Sequence, residues 1–261
     1  MNKPALTIYK IGGGIIDDTA ELIKFLELLA QTTGLKILVH GGGKGASTMM
    51  RELGLTPQLI NGRRVTDAAT LDIVTMFYAG KTNKQVVAEL QRLGVNALGL
   101  SGADGNVIQG IKRPVKDVDY GFVGDLTPAS VNATFIQQLV TANLTPVLCP
   151  IIHDGHGQLL NTNADTIASA VAVALADFYE VTLHYCFEKN GVLRDVNDDN
   201  SVIQEINSSS YAELKQQGII ADGMLPKLEN AFAALHQGVS RVIIGHALHI
   251  QRSLHTVLCL N

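Results

Sequence analysis

Two runs of three glycines, "KIGGG" at residues 10–14 and "VHGGG" at 39–43, each follow an apolar, strand-like stretch. Glycines at such a point can cradle a phosphate, stabilise the oxyanion of an acyl transfer, or simply make a tight turn. An oxyanion hole needs a GxSxG nucleophile elbow, and the two candidates, "GLSGA" around Ser101 and "GVSRV" around Ser240, lack its closing glycine. A P-loop fails because Gly43-Lys44 is followed by Gly45 and Leu38 stands where its first glycine belongs. A dinucleotide fingerprint fails at Asp17 and Ala46. What remains are two sets of backbone N–H groups that can face anionic oxygen, with Lys10 directly before the first. His40 precedes the second, and as phosphate binding moves no proton, it reads as a structural hydrogen-bonding group.

These residues need a frame. "LTIYKI", "LKILVH" and "VNALGLSG" read as strands, and Ala20–Gln31 and "KGASTMMREL" as helices. The helical pattern from Asp67 to Leu93 has Thr66 or Asp67 as N-cap and a break near Gly80. Residues 104–126 carry short β-like pieces and turn residues, expected as antiparallel hairpins appended to the main sheet. Then follow a helix at Asn132–Ala142, the strand "TPVLCPII", a helix Ile167–Leu175 opened by Asn163 or Asp165, and the strand "FYEVTLHYCF". Helices at Tyr211–Gln217 and Leu225–His236 and the strand "SRVIIG" complete the pattern. This alternation predicts an α/β fold, a three-layer αβα sandwich around a mainly parallel open sheet, with hairpins on the N-terminal lobe. Ligands of such sheets sit beyond the carboxyl ends of the strands, which puts both glycine runs on one rim.

Composition excludes other classes. The 261 residues are 46% hydrophobic and 17% charged, enough for a sizeable core. The net charge of −4, without a basic cluster, argues against nucleic acid as partner. Cys149, Cys186 and Cys259 are too scattered for a disulfide framework or a zinc site, and the remaining histidines show no ligand spacing. No secretory signal or membrane-length apolar run is present, so a soluble, cytoplasmic protein is expected.

"KIGGG" (10–14), "VHGGG" (39–43), "NGRRVT" (61–66), "AGKTNK" (79–84), "GLSGADG" (99–105), "NTNAD" (161–165) and "DGMLPK" (222–227), in that order, resemble the amino-acid kinases over nearly the whole chain. The resemblance is closest to members acting on N-acylated glutamate. It implies one domain, 1–261, with an acyl-amino-acid lobe at about 1–170 and a nucleotide lobe at about 171–261. It also implies transfer of the terminal phosphoryl of ATP to the side-chain carboxylate of N-acetyl-L-glutamate, or N-succinyl-L-glutamate, in arginine biosynthesis. A carboxylate with pKa near ~4.3 arrives ionised, so the missing base is no obstacle.

By the same resemblance Lys10 and Lys227 would stabilise the moving phosphoryl group and Asp165 would orient the two ammonium groups. Gly42, Gly43, Arg64 and Asn161 would bind the acylated amino acid. Arg63 rivals Arg64, but neighbours on an extended chain point to opposite faces and the pattern NGxRVT selects Arg64. Gly12 and Gly13 would face the phosphates of ATP, and Asp222, Gly223 and Met224 would border the nucleotide. Mg2+ would arrive with ATP, since no carboxylate cage is visible. The stretch "FEKNG" at 187–191 departs from the family's TDVxG-like pattern. Nine residues before Lys10 match the shorter, unregulated homodimeric form. Other readings are a kinase of free glutamate and a non-catalytic metabolite sensor.

Overall fold

Apolar strands buried on both sides and amphipathic helices buried on one assemble into three layers. The computed structural model describes residues 3–60, 62–220 and 224–261. In chain order the strands are β1 (Ala5–Ile11), β2 (Leu35–His40), β3 (Leu59–Ile60), β4 (Arg63–Arg64), β5 (Ala97–Leu100), β6 (Ile111–Lys112) and β7 (Gly124–Asp125). They continue as β8 (Thr145–Leu148), β9 (Ile151–His153), β10 (Leu159–Asn161), β11 (Glu180–Phe187), β12 (Glu205–Ile206), β13 (Arg241–His246) and β14 (His255–Leu258). The helices are α1 (Gly13–Asp17), α2 (Thr19–Gln31), α3 (Gly45–Glu52), α4 (Ala68–Val74), α5 (Asn83–Arg92), α6 (Ala133–Thr141), α7 (Ala164–Leu175), α8 (Ser208–Gln216) and α9 (Leu225–His236).

The main sheet has the order β12-β14-β13-β11-β1-β2-β8-β5, parallel throughout except between β13 and β14. Ile8, Val39, Leu183 and Val242 face α7 and α9, where Ile167, Val171, Leu228 and Phe232 close one core. Ile11, Leu38 and Cys186 face the other way, toward Phe25, Leu26 and Leu29 of α2 and Leu90 of α5. Each large apolar side chain buried this way contributes about 1.5–3 kcal/mol, which explains why the central strands read as nearly unbroken apolar runs.

Four details differ from the sequence expectations. The segment 67–93 does not break at Gly80: α4 and α5 are joined by a π-helical stretch, Thr75–Thr82, and Asp67 caps α4 by accepting from Thr70 N–H. "TPVLCPII" divides at Cys149-Pro150, where the missing proline N–H ends the ladder, into β8 and β9. The hairpin β6–β7 is a separate two-stranded unit, not appended to the main sheet. Gly124, where a Cβ would lie 2.6 Å from Ile152, lets it settle over β9, and Val123 bridges to Asn161 instead of to a sheet edge. Lastly, β14 pairs antiparallel with β13, with β12 beyond it at the sheet edge, and the patterning signalled neither strand.

Candidate active site

In the parallel register Lys10 lies level with Val39 of β2 and Tyr185 of β11, so three strand ends meet on one rim. The chain order reverses about β1, and the cleft opens at that point, as expected for an open α/β sheet. It has a volume of about 230 Å3, and Lys10, Gly12, Gly13, Gly42, Gly43, Arg64, Asn161 and Asp165 all border it.

The two glycine runs form its floor by packing backbone against backbone. Gly41 N–H donates to Ile11 O at 3.0 Å, and a Cβ on Gly13 would stand 3.2 Å from Gly43 Cα. Asp17, at the end of α1, accepts from Lys44 N–H at 2.7 Å and ties the second run to the first. Gly43 has φ +61°, a conformation glycine adopts without strain. At Gly42 the constraint is steric, since a Cβ would penetrate the ring of Tyr78. That tyrosine comes from the π-helical stretch, whose wider turn sets its direction. Among the described residues, no acceptor occupies the N–H groups of Gly42 and Gly43.

His40 lies beneath this floor, fully buried. Its Nδ1 faces Gly41 O at 2.8 Å and its Nε2 faces Asn83 Nδ2 at 3.1 Å, so Nδ1 donates and Nε2 accepts in a neutral ring. Burial pushes its pKa down to about 4. The imidazole holds a glycine carbonyl in place, the structural role expected of it. Asn83 also donates to Val147 O, so the "AGKTNK" stretch braces the floor from below.

At the opposite wall Asn163 caps α7, accepting from Asp165 N–H at 2.6 Å. The carboxylate of Asp165 in the first turn lies 2.7 Å from Lys10 Nζ, an ion pair outside hydrogen-bond alignment. Lys10 is only 6% exposed. From the first turn of α9, Lys227 places its ammonium 4.1 Å from the ring centroid of Phe187, and Lys10 lies 5.7 Å from the same ring. Those distances keep the two nitrogens within about 10 Å of each other. Desolvation lowers the Lys227 pKa; Asp165 opposes the shift, Lys10 adds to it, and Glu188 opposes it.

Arg64 donates to Ser47 Oγ at 2.7 Å and lies 3.4 Å from Met50 Sδ on α3, at the glycine side of the cleft. Arg63 borders the cleft as well, but its head turns toward Arg113, Asp125 and Tyr120. Arg63 and Arg64 therefore have different neighbours, although both residues border the cleft. Desolvation and then Arg113 lower the Arg63 pKa, and among the described residues no carboxylate pairs with it. Asn161, 6% exposed, donates to Thr66 Oγ1 at 3.1 Å, and Thr66 in turn donates to Arg64 O at 3.0 Å. The "NGRRVT" and "NTNAD" stretches thereby become one wall.

Met224 borders a separate cleft of about 780 Å3 with Gly191–Val196, Gly218 and Ile219. Asp222 and Gly223 lie outside the described residues. The carboxylate of Glu188 lies where a Cβ on Gly14 would be, over the first glycine run. Among the described residues no three His, Cys, Asp or Glu groups converge as a metal cage.

Sequence reasoning passed over Tyr78, Ser47 and Phe187. Tyr78 and Phe187 adjoin or belong to stretches singled out, "AGKTNK" and "FEKNG", but only the tertiary structure brings Tyr78 against Gly42 or Phe187 beneath two lysines.

The sequence profile of the amino acid kinase family matches residues 5–246. An acetylglutamate kinase of Phocaeicola vulgatus is 53% identical over 256 residues, covering 98% of this chain and 99% of its own. One from Parabacteroides distasonis is 51% identical over 251 residues, 96% of this chain and 98% of its own. A crystal structure of a Streptococcus mutans protein superposes with a TM-score of 0.75 at 28% identity, covering 97% of this chain and 98% of that one.

Proposed function

This chain belongs to the amino acid kinase family, and from that membership and the lysine-flanked glycine cleft we propose that it transfers the γ-phosphoryl group of ATP to the side-chain carboxylate of N-acetyl-L-glutamate. The step belongs to arginine biosynthesis. A carboxylate oxygen attacks the terminal phosphorus, the bond to the β-phosphate oxygen breaks, and an acyl phosphate and ADP leave. The nucleophile is already ionised, so catalysis consists of alignment and charge stabilisation.

The observation that carries this reading is the convergence of Lys10 and Lys227 on one ring beside Asp165. In the proposal the PO3 unit passes between the two ammonium groups, each making a charge-assisted hydrogen bond of about 2.8 Å. Asp165 orients Lys10 and offsets the repulsion between the cations. Gly12 and Gly13 face the phosphates of ATP, and Gly42 and Gly43 face the acceptor. Arg64 takes its α-carboxylate and Asn161 hydrogen-bonds the acylated end. Asp222, Gly223 and Met224 border the nucleotide, which enters as its Mg2+ complex with the metal held chiefly by phosphate oxygens. The proposed halves are 1–170 for the acylated amino acid and 171–261 for the nucleotide. A homodimer in the cytoplasm is part of the same reading, and no helix among the described residues is long and apolar enough to cross a membrane.

A second reading is favoured by Arg63, a residue of the cleft border that has no carboxylate within ion-pair range among the described residues. An N-succinyl group would bring one to it. The test is ADP release with N-acetyl-L-glutamate, N-succinyl-L-glutamate and free glutamate in parallel. Preference for the acetyl compound is expected. A succinyl preference lost in Arg63→Ala would select the second reading, and activity on free glutamate alone would reject both.

A further inference from the structure

Two ammonium groups in a desolvated cleft repel each other, and a long lysine side chain escapes such repulsion by swinging into water. Lys10 cannot, since it is buried and paired with Asp165. Lys227 is half-buried, and no carboxylate lies within ion-pair range of it among the described residues. The group beneath it is Phe187, with the ammonium 4.1 Å from the ring centroid. That ring is itself fixed. It stacks on Tyr185, two residues earlier on the same face of β11, with centroids 6.3 Å apart and planes 18° from parallel, and it packs against the main core.

We propose that Phe187 is a positioning residue for phosphoryl transfer: its ring face holds the Lys227 ammonium in the cleft, opposite the Lys10–Asp165 pair, before any phosphate arrives. The negative face of the π-system attracts the cation without adding a formal charge. A carboxylate in this place would neutralise the lysine and repel the phosphoryl oxygens. The ring leaves the full positive charge available to the transition state. This inference rests on the kinase reading above.

The experiment compares Phe187→Leu, which keeps bulk but removes the ring face, with Phe187→Tyr, which keeps that face. Leucine is expected to lower kcat about 3- to 30-fold, the usual range for one cation–π contact, with KM for both substrates within about threefold. Tyrosine should stay within about twofold of the parent. On a Lys227→Ala background, Phe187→Leu should cost little more, because the ring acts through that lysine. Separately and without substrate, Lys227 is labelled with an amine-acylating reagent and read by mass spectrometry. Its labelling should accelerate severalfold with leucine and not with tyrosine. Equal losses on both backgrounds, or unchanged labelling, would overturn the proposal. Faster labelling at the buried Lys10 too would reveal unfolding, and Phe187→Met then makes the same comparison. If the parent turns over no N-acylglutamate, the kinase reading fails, while labelling still decides the ring–lysine contact.

Discussion

Replacing Lys10 by alanine removes a cation placed, on the proposed reading, about 3 Å from a phosphoryl oxygen. At that distance and an effective dielectric of about 20, one unit charge is worth roughly 5.5 kcal/mol. The ground-state phosphate is already anionic, so only the part that grows along the reaction lowers the barrier. Taking half gives about 3 kcal/mol, or roughly 100-fold in kcat. The substitution also leaves Asp165 without its 2.7 Å partner. Breaking a buried pair costs about 3–5 kcal/mol of stability. Here the carboxylate side chain retains 23% exposure, so water softens that penalty. The two effects separate cleanly: kcat and KM come from ADP release well below the melting temperature, and stability from a denaturant titration. The expected result is a kcat loss of two orders of magnitude or more, with KM for N-acetylglutamate changed by less than about fivefold. A folded Lys10→Ala protein within tenfold of the parent in kcat would refute the placement of Lys10 at the transferred group.

Arg64→Ala should act on binding instead, raising KM for the acylated amino acid by roughly 30-fold or more for a lost charge-assisted contact, with KM for ATP within about threefold; equal effects on both substrates would show that Arg64 has another task. The buried imidazoles predict a stability profile. His40 and His184, with pKa values pushed down to about 4 and about 3 mainly by burial, stay neutral in the fold while the unfolded chain takes up protons near pH 6.5. Their folded values are depressed, so stability is full above about pH 6.5 and falls as pH drops. The slope is about 1.4 kcal/mol per pH unit for each, or roughly 3 kcal/mol each by pH 4. Urea midpoints across pH 7 to 4 measure this, and His40→Gln should flatten the slope by about half.

Much of the architecture was legible because it depends on local chemistry. The central strands of the main sheet, β1, β2, β8 and β11, are largely buried on both faces and therefore read as apolar runs. Asp67, Asn132 and Asn163 mark helix starts because their side chains satisfy N–H groups that no helical carbonyl can reach. The small β6–β7 and β9–β10 pairs were less legible. Their places depend on Gly124 meeting Ile152, a contact between distant segments, and on which partner β9 takes once Pro150 has ended the ladder of β8. The π-helical stretch was legible only as an apparent break near Gly80, since its wider turn shifts the helical phase without ending the helix.

The chain by itself determined that unshielded backbone and a lysine stand together at a strand end, because Lys10 and Gly12–Gly14 are neighbours in sequence. Only the tertiary structure decided what surrounds that point. Lys10 and Lys227 are separated by more than two hundred residues, and the parallel register of β1 with β11 and the packing of α7 and α9 on one face bring them to a shared ring. A cation–π contact and a desolvated ion pair depend on distance in space, and sequence spacing carries that distance only within a helix turn or along one strand.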